Sequence, residues 1–270
     1  MNFSASCIAV WMVTAGTLFG LFLKEVFFVR SFERWKTVHA LDQVARKYRD
    51  PIALAALELC NRLIRICDDY PPAFLDSTVL AIAPAGPGVN SADDPHFQRY
   101  RHISTVFRLC AFLGWIELYR QDTTYLEPRD ESSAQRLSDA IFAIRSDLAD
   151  WQLNTAREWA KWHDVLIFRE EQRAIGESMI VPAASGRTVM GYAAFSNIFP
   201  AAAPEAAAKW IYAAASFVTN PQPAKDFREI RMRRLIVHLV TLVRIVTPSR
   251  LREAHDLAVS RYESAIKEAA

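Results

Sequence analysis

The chain has 270 residues, of which 51% are hydrophobic, and its 32 lysines and arginines against 30 acidic residues give a formal net charge of +2. This balance excludes a strongly basic surface of the kind used for general nucleic-acid binding, so we expect no nucleic-acid partner. The 4 cysteines form no closely spaced pair, which is typical of reduced packing cysteines rather than of a disulfide framework.

The first predicted element is a membrane-spanning helix. Residues 1–23 carry no charge, and Cys7–Leu23 is almost wholly apolar, close to the ~20 residues that a helix needs to cross a bilayer. A cleaved signal peptide fits less well because no basic residue precedes the apolar run, and a buried core helix is the other alternative. The basic residues that follow the run are Lys24, Arg30, Arg34 and Lys36. The positive-inside bias therefore predicts an outer N-terminus and a cytoplasmic remainder.

We accordingly divide the chain into two parts. Residues 1–36 form a transmembrane anchor with its juxtamembrane segment, and residues 37–270 form one cytosolic helical domain. Within that domain Asp50-Pro51 predicts a helix start, with Asp as the N-cap and Pro at the first helical position. Residues 71–94 are rich in Pro, Gly and small polar residues and predict a loop, after which Pro95 begins the next helix.

A third helix is predicted after Asp130, and a fourth has the strongest pattern of the chain. Its residues Val165, Phe168, Gln172, Ile175 and Met179 recur at spacings of three and four. They form one stripe along a helix, in which Gln172 is the polar member.

Three further helices complete the prediction. One begins at Pro204, a long one is stopped by Pro248, and the last is capped by Ser249. Leu235–Val246, inside the long helix, is too short and too charged for a second membrane span. No alternating run competes with these helices. The predicted fold class is therefore all-α, with an N-terminal transmembrane helix followed by a cytosolic bundle of about seven or eight helices.

The most distinctive polar constellation lies in the segment FREEQRAIGESMI. Arg173 and Glu177 are four residues apart on one helical face, beside Gln172 of the stripe. In a ligand site built here, Arg173 would receive an anion, Glu177 would orient it and Gln172 would donate a hydrogen bond. Glu117 and Arg120, at the end of another helix, could face this site. The alternative is structural, because polar groups of a bundle usually satisfy one another.

A second candidate surface is basic. The segment FREIRMRRL places four arginines on the first turns of one helix, which suits contact with anionic lipid headgroups in a tethered domain. The alternative is a solvated helix face, since acidic residues are interspersed among the arginines. The candidate lipid-contact residues are Arg30, Arg34, Lys36, Arg231 and Arg234.

The chain has no P-loop, dinucleotide-binding, zinc-protease or nucleophile-elbow motif. Its 6 histidines lack ligand spacing, so we predict neither a metal nor a cofactor. The predicted function is that of a membrane-anchored cytosolic interaction or scaffold protein, which binds a partner protein or a second copy of itself. The alternative is a small-ligand sensor or enzyme with a polar site around Arg173 and Glu177.

Six pieces of the chain resemble a family of uncharacterised bacterial proteins. They are YRDP (48–51), NRL (61–63), WIELYR (115–120), EQRAIGESM (171–179), GYAAF (191–195) and LIVHLVTLVRIVTP (235–248). The resemblance covers most of the chain after the predicted anchor, and QRAIGE is its most specific element. It implies a bacterial protein, hence an inner-membrane location, and brings no established activity with it. The alternative function, a small-ligand sensor or enzyme, includes a role in bacterial stress or phage defence. The chain departs from the family pattern at His238 and Thr247, where Gln and Asp are common.

Overall fold

The computed structural model describes residue 17 and residues 30–68, 95–123, 133–149, 166–184, 186–199, 206–219 and 227–269. Its helices are α1 (Arg30–Asp68), α2 (Pro95–Thr123), α3 (Ser133–Ala149), α4 (Arg169–Ser178), α5 (Tyr192–Ile198), α6 (Ala206–Val218), α7 (Phe227–Val246) and α8 (Glu253–Ala269). A 3₁₀ turn, Pro248–Arg250, joins α7 to α8, and the strands β1 (Ile180–Ala183) and β2 (Gly186–Val189) form a hairpin. The described chain is therefore predominantly helical, as the sequence predicts.

Helix α1 is longer than predicted because it continues through Pro51. It has 39 residues and is about 58 Å long at 1.5 Å per residue. The predicted helix start at Asp50-Pro51 is thus wrong, although an interior proline removes one backbone hydrogen bond. Burial of the following turns offsets that loss, since Ile52 and Leu59 are fully buried in the core. The helix also runs without interruption across residues 36 and 37, where the predicted anchor segment meets the predicted helical domain.

The core is organised around α1, α2 and α7. Helix α7 packs against α1, α3 and α8, whereas α2 packs against α1, α4 and α6. Helices α1 and α2 are antiparallel, because Tyr48 reaches Asp122 while Arg62 reaches Ser104. The two cavities described below are both lined by residues of α1 and α2.

The short hairpin of β1 and β2 is an element that the sequence does not predict. Its strands pair antiparallel, with Ile180 opposite Val189, and Gly186 has φ +120°, a conformation that favours glycine. The hairpin lies on α2 at Gly114, where an added Cβ would lie 3.1 Å from Cγ2 of Val189 in β2. Strands of four residues are too short for alternation to reveal them, which explains why the sequence pattern failed here.

Helix ends were predicted with mixed success. The start of α2 at Pro95 and the end of α7 before Pro248 are confirmed. Ser249 lies in the 3₁₀ turn and does not cap α8, where instead Nδ1 of His255 accepts a hydrogen bond from the backbone N–H of Arg252 at 3.0 Å. Phe168 precedes α4 and is 44% exposed, so it lies outside the buried stripe.

The predicted anchor, Cys7–Leu23, falls outside the described residues except for Thr17. Within the described residues, no helix combines the length and the apolarity that crossing a bilayer demands.

Candidate functional site

The predicted polar site around α4 is built on a saturated hydrogen-bond network. Gln172 is 2% exposed, and its Nε2 donates to the carbonyl of Ile167 at 2.8 Å and to that of Arg145 at 3.0 Å. Its Oε1 accepts from Nε of Arg145 at 3.1 Å, and the same guanidinium donates to the carbonyl of Arg169. Both N–H groups and the oxygen of the amide are therefore engaged, and Gln172 joins α3 to α4.

Glu117 and Arg120 pair with each other within α2. Glu117 is 2% exposed and accepts from Nε and Nη2 of Arg120 at 2.8 and 2.6 Å, and from Gln121 at 2.9 Å. The hydrogen bond to Glu117 is the main cause that raises the pKa of Arg120, and Glu177 adds to it. A buried carboxylate that already accepts three hydrogen bonds has little capacity left for a ligand.

Arg173 and Glu177 are exposed, and within the described chain they form no ion pair with each other. Arg173 lies near Arg145, where burial and then Arg173 lower the pKa of the Arg145 guanidinium. The five predicted ligand residues therefore gather where α2, α3 and α4 meet, but they line neither of the two cavities described below.

The candidate lipid-contact residues separate into different environments. Arg231 is fully buried and donates to the carbonyl of Asp147 at 2.7 Å, so the expectation that it meets lipid is corrected. Arg234 is partly exposed and donates to Oδ1 of Asp147 at 3.2 Å, whereas Lys36 is exposed. The side chains outside the described part of the chain are those of Arg30 and Arg34. In the basic segment of α7, Arg231 and Arg234 thus hold α7 against Asp147 of α3.

A large basic cavity, which we call the basic groove, opens between α1, α2 and the turn before α8. Its volume is about 830 Å³, within the ~300–1,000 Å³ typical of small-molecule sites. Among the described residues that line it, Glu58 is the one acidic residue. The arginines that line it are Arg62, Arg65, Arg108, Arg250 and Arg252. Five guanidinium groups around one carboxylate leave a strong excess of positive charge.

The arginines of the basic groove repel one another. Burial, followed by the neighbouring Arg108, lowers the pKa of Arg62 to about 10. Within the described residues, no carboxylate forms an ion pair with Arg65, Arg250 or Arg252, all of which are exposed. An anion placed among these groups would relieve the repulsion and accept several charge-assisted hydrogen bonds.

A hydrogen-bond chain fixes the shape of the groove. Nε2 of His255 donates to Oδ1 of Asn61 at 2.9 Å, while its Nδ1 accepts from the N–H of Arg252 at 3.0 Å. On the opposite wall, Arg108 donates to the carbonyl of Ser104 at 2.8 Å. Helix α1 and the start of α8 are therefore held together across the groove floor.

Other kinds of site find little support. In the part of the chain that the structure describes, no group of three or more His, Cys, Asp or Glu side chains is arranged to hold a metal ion. Cys60 and Cys110 are buried free thiols, and burial raises the pKa of Cys60 to about 12. A thiol with so high a pKa is a poor nucleophile near neutral pH.

No family model, curated protein or solved structure matches this chain. The pieces that carry the family resemblance make structural contacts. In YRDP, Tyr48 donates to Oδ2 of Asp122 at 2.6 Å, and Arg49 donates to the carbonyl of Val246 at the end of α7. In QRAIGE, an added Cβ on Gly176 would lie 2.6 Å from Glu117 Cβ, so α4 and α2 pack in close contact.

Proposed function

We propose that this chain is a membrane-tethered helical domain that acts by binding an anionic ligand in the basic groove. The observation that carries the proposal is the convergence of five arginines and one glutamate on a cavity of about 830 Å³. Arginine suits this purpose because its planar guanidinium donates two parallel hydrogen bonds to a phosphate or carboxylate. The ligand site thus lies in the basic groove rather than at Arg173.

The tether belongs to the same proposal. It is supported by the uncharged run Cys7–Leu23 and the basic flank that follows it. We propose an inner-membrane protein with its helical domain in the cytoplasm, in which ligand binding is communicated to a protein partner or to a second copy. Recovery of the full-length protein in the soluble fraction after cell lysis would contradict this part.

Anion binding can be measured by isothermal titration of the full-length protein with inorganic pyrophosphate. Arg65→Gln should weaken binding about tenfold, because it removes one charge-assisted contact. Arg65 is exposed, so the substitution leaves the core unchanged.

The matched control is Arg173→Gln, which removes the same charge from the site predicted in α4. It should leave the affinity unchanged. The reverse pattern, in which Arg173→Gln weakens binding and Arg65→Gln has no effect, would place the anion site at the polar residues of α4 and refute the proposal. An absence of any pyrophosphate binding would do the same.

A further inference from the structure

A second cavity continues the basic groove along the same helix pair. It has a volume of about 420 Å³ and shares Glu58 and Arg250 with the basic groove. We call it the apolar groove. Because Glu58 and Arg250 line both cavities, the two lie side by side along α1 and α2, and we call them together the trough.

The walls of the apolar groove are mostly hydrophobic. Leu54 is 46% exposed there, which leaves a large aliphatic side chain in contact with water. The hydrophobic side chains that line the groove include Leu54, Phe107, Ala111, Trp115, Val189 and Met190. An apolar ligand group lying between these side chains would remove their surface from water.

The trough is therefore amphipathic along its length. Leu54 and Arg65 are eleven residues apart on α1, which corresponds to about 16 Å along the helix axis. Glu58 and Arg250 lie where the two grooves adjoin, and Asp50 is the further charged residue on the described lining of the apolar groove. The apolar groove therefore lacks the excess of positive charge found in the basic groove, and an anion is favoured at the basic end. A ligand that fills the whole trough thus needs one anionic end and one apolar end.

We propose that the ligand is a single-chain phosphate amphiphile, with its head among the arginines and its alkyl chain in the apolar groove. This rests on the proposed function, since the basic groove holds the head. A phosphate dianion can accept hydrogen bonds from more guanidinium groups at once than a single carboxylate can.

An alkyl chain fits the apolar groove better than a nucleobase does. Phe107 and Trp115 are eight residues apart on α2, or about 12 Å along its axis. That separation is too large for the two rings to enclose one base, whereas an extended chain can lie against both.

The test is a titration series with alkyl phosphates from ethyl to octyl, on the full-length protein in phosphatidylcholine nanodiscs, with the signal of empty nanodiscs subtracted. Each methylene should tighten binding about twofold, half of the free energy expected for full burial. Leu54→Gln should flatten this dependence. Leu257→Gln is the matched control, because Leu257 is 64% exposed on α8 and lines neither groove.

The outcomes separate this inference from the proposed function. If pyrophosphate binds through Arg65 but chain length has no effect, the amphiphile is refuted while anion binding stands. If adenosine monophosphate binds more tightly than octyl phosphate, the apolar groove accepts a base and the inference also fails. A chain-length dependence that survives in Leu54→Gln would place the chain elsewhere. Failure of every anion to bind would overturn both proposals.

Discussion

The contact between α2 and α4 at Gly176 offers a sharp test of the structural role of the QRAIGE segment. An added Cβ on Gly176 would lie 2.6 Å from Glu117 Cβ and 2.8 Å from the carbonyl oxygen of Leu113. The second of these atoms belongs to the backbone, so the two helices must separate to relieve the overlap. Overpacking of this kind costs about 3 kcal/mol at the upper end of its usual range. Alanine recovers about 1 kcal/mol of helix propensity, so we expect Gly176→Ala to destabilise the protein by about 2 kcal/mol.

Thermal unfolding of the full-length protein, followed by circular dichroism, measures this effect. A loss of about 2 kcal/mol should lower the midpoint by roughly 6 °C for a domain of this size. Gly191→Ala is the control, because an added Cβ at Gly191 meets no atom within 4 Å. Gly191 is the N-cap of α5, where alanine should cost less than about 1 kcal/mol. Equal midpoints for the two variants would refute the close packing of α2 against α4.

Three further outcomes are expected. Gln172→Leu should lower the free energy of unfolding in urea by about 3 kcal/mol, because Arg145 and two backbone carbonyls lose their partners. Gln43→Leu, at an exposed position of α1, should change it little. Burial raises the pKa of Cys60 to about 12, so iodoacetamide at about pH 8 should label this thiol only after the protein unfolds. Rapid labelling of the native protein, detected by mass spectrometry, would contradict the burial of Cys60. The affinity for pyrophosphate should fall as sodium chloride is added, since salt screens the charges of the arginines in the basic groove. The fall should be smaller in Arg65→Gln, and an affinity that does not depend on salt would exclude electrostatic binding.

The helical elements could be predicted where their signals are local. Pro95 begins α2 and Pro248 ends α7, because the missing N–H and fixed φ of proline act on the adjacent turn. The spacing of Gln172, Ile175 and Met179 also identified a buried face correctly, since all three are buried. These predictions needed no information from distant residues.

Tertiary packing overrode local signals elsewhere. Pro51 predicts a helix boundary, but apolar burial on both sides keeps α1 continuous. The hairpin depends on Gly114 and on the end of α4, neither of which is visible as a strand pattern. Arg231 looked like a surface arginine by its basic neighbours and is in fact fully buried against the end of α3.

The basic groove could not be predicted because its walls are distant in sequence. Arg62 and Arg65 precede Arg250 by nearly the length of the helical domain, and the fold alone brings them to one cavity. The one sign of the groove in the sequence is the pair Arg62 and Arg65, which lie about one helical turn apart beside an apolar face of α1. The α4 cluster was more conspicuous in sequence because its polar residues are adjacent.

The most direct test of the central claim is a crystal structure of the full-length protein with pyrophosphate. We expect a pyrophosphate in the basic groove, with its oxygens within hydrogen-bond distance of the guanidinium groups of Arg62 and Arg108. An empty groove, with the anion bound instead at Arg173 and Arg120, would contradict it.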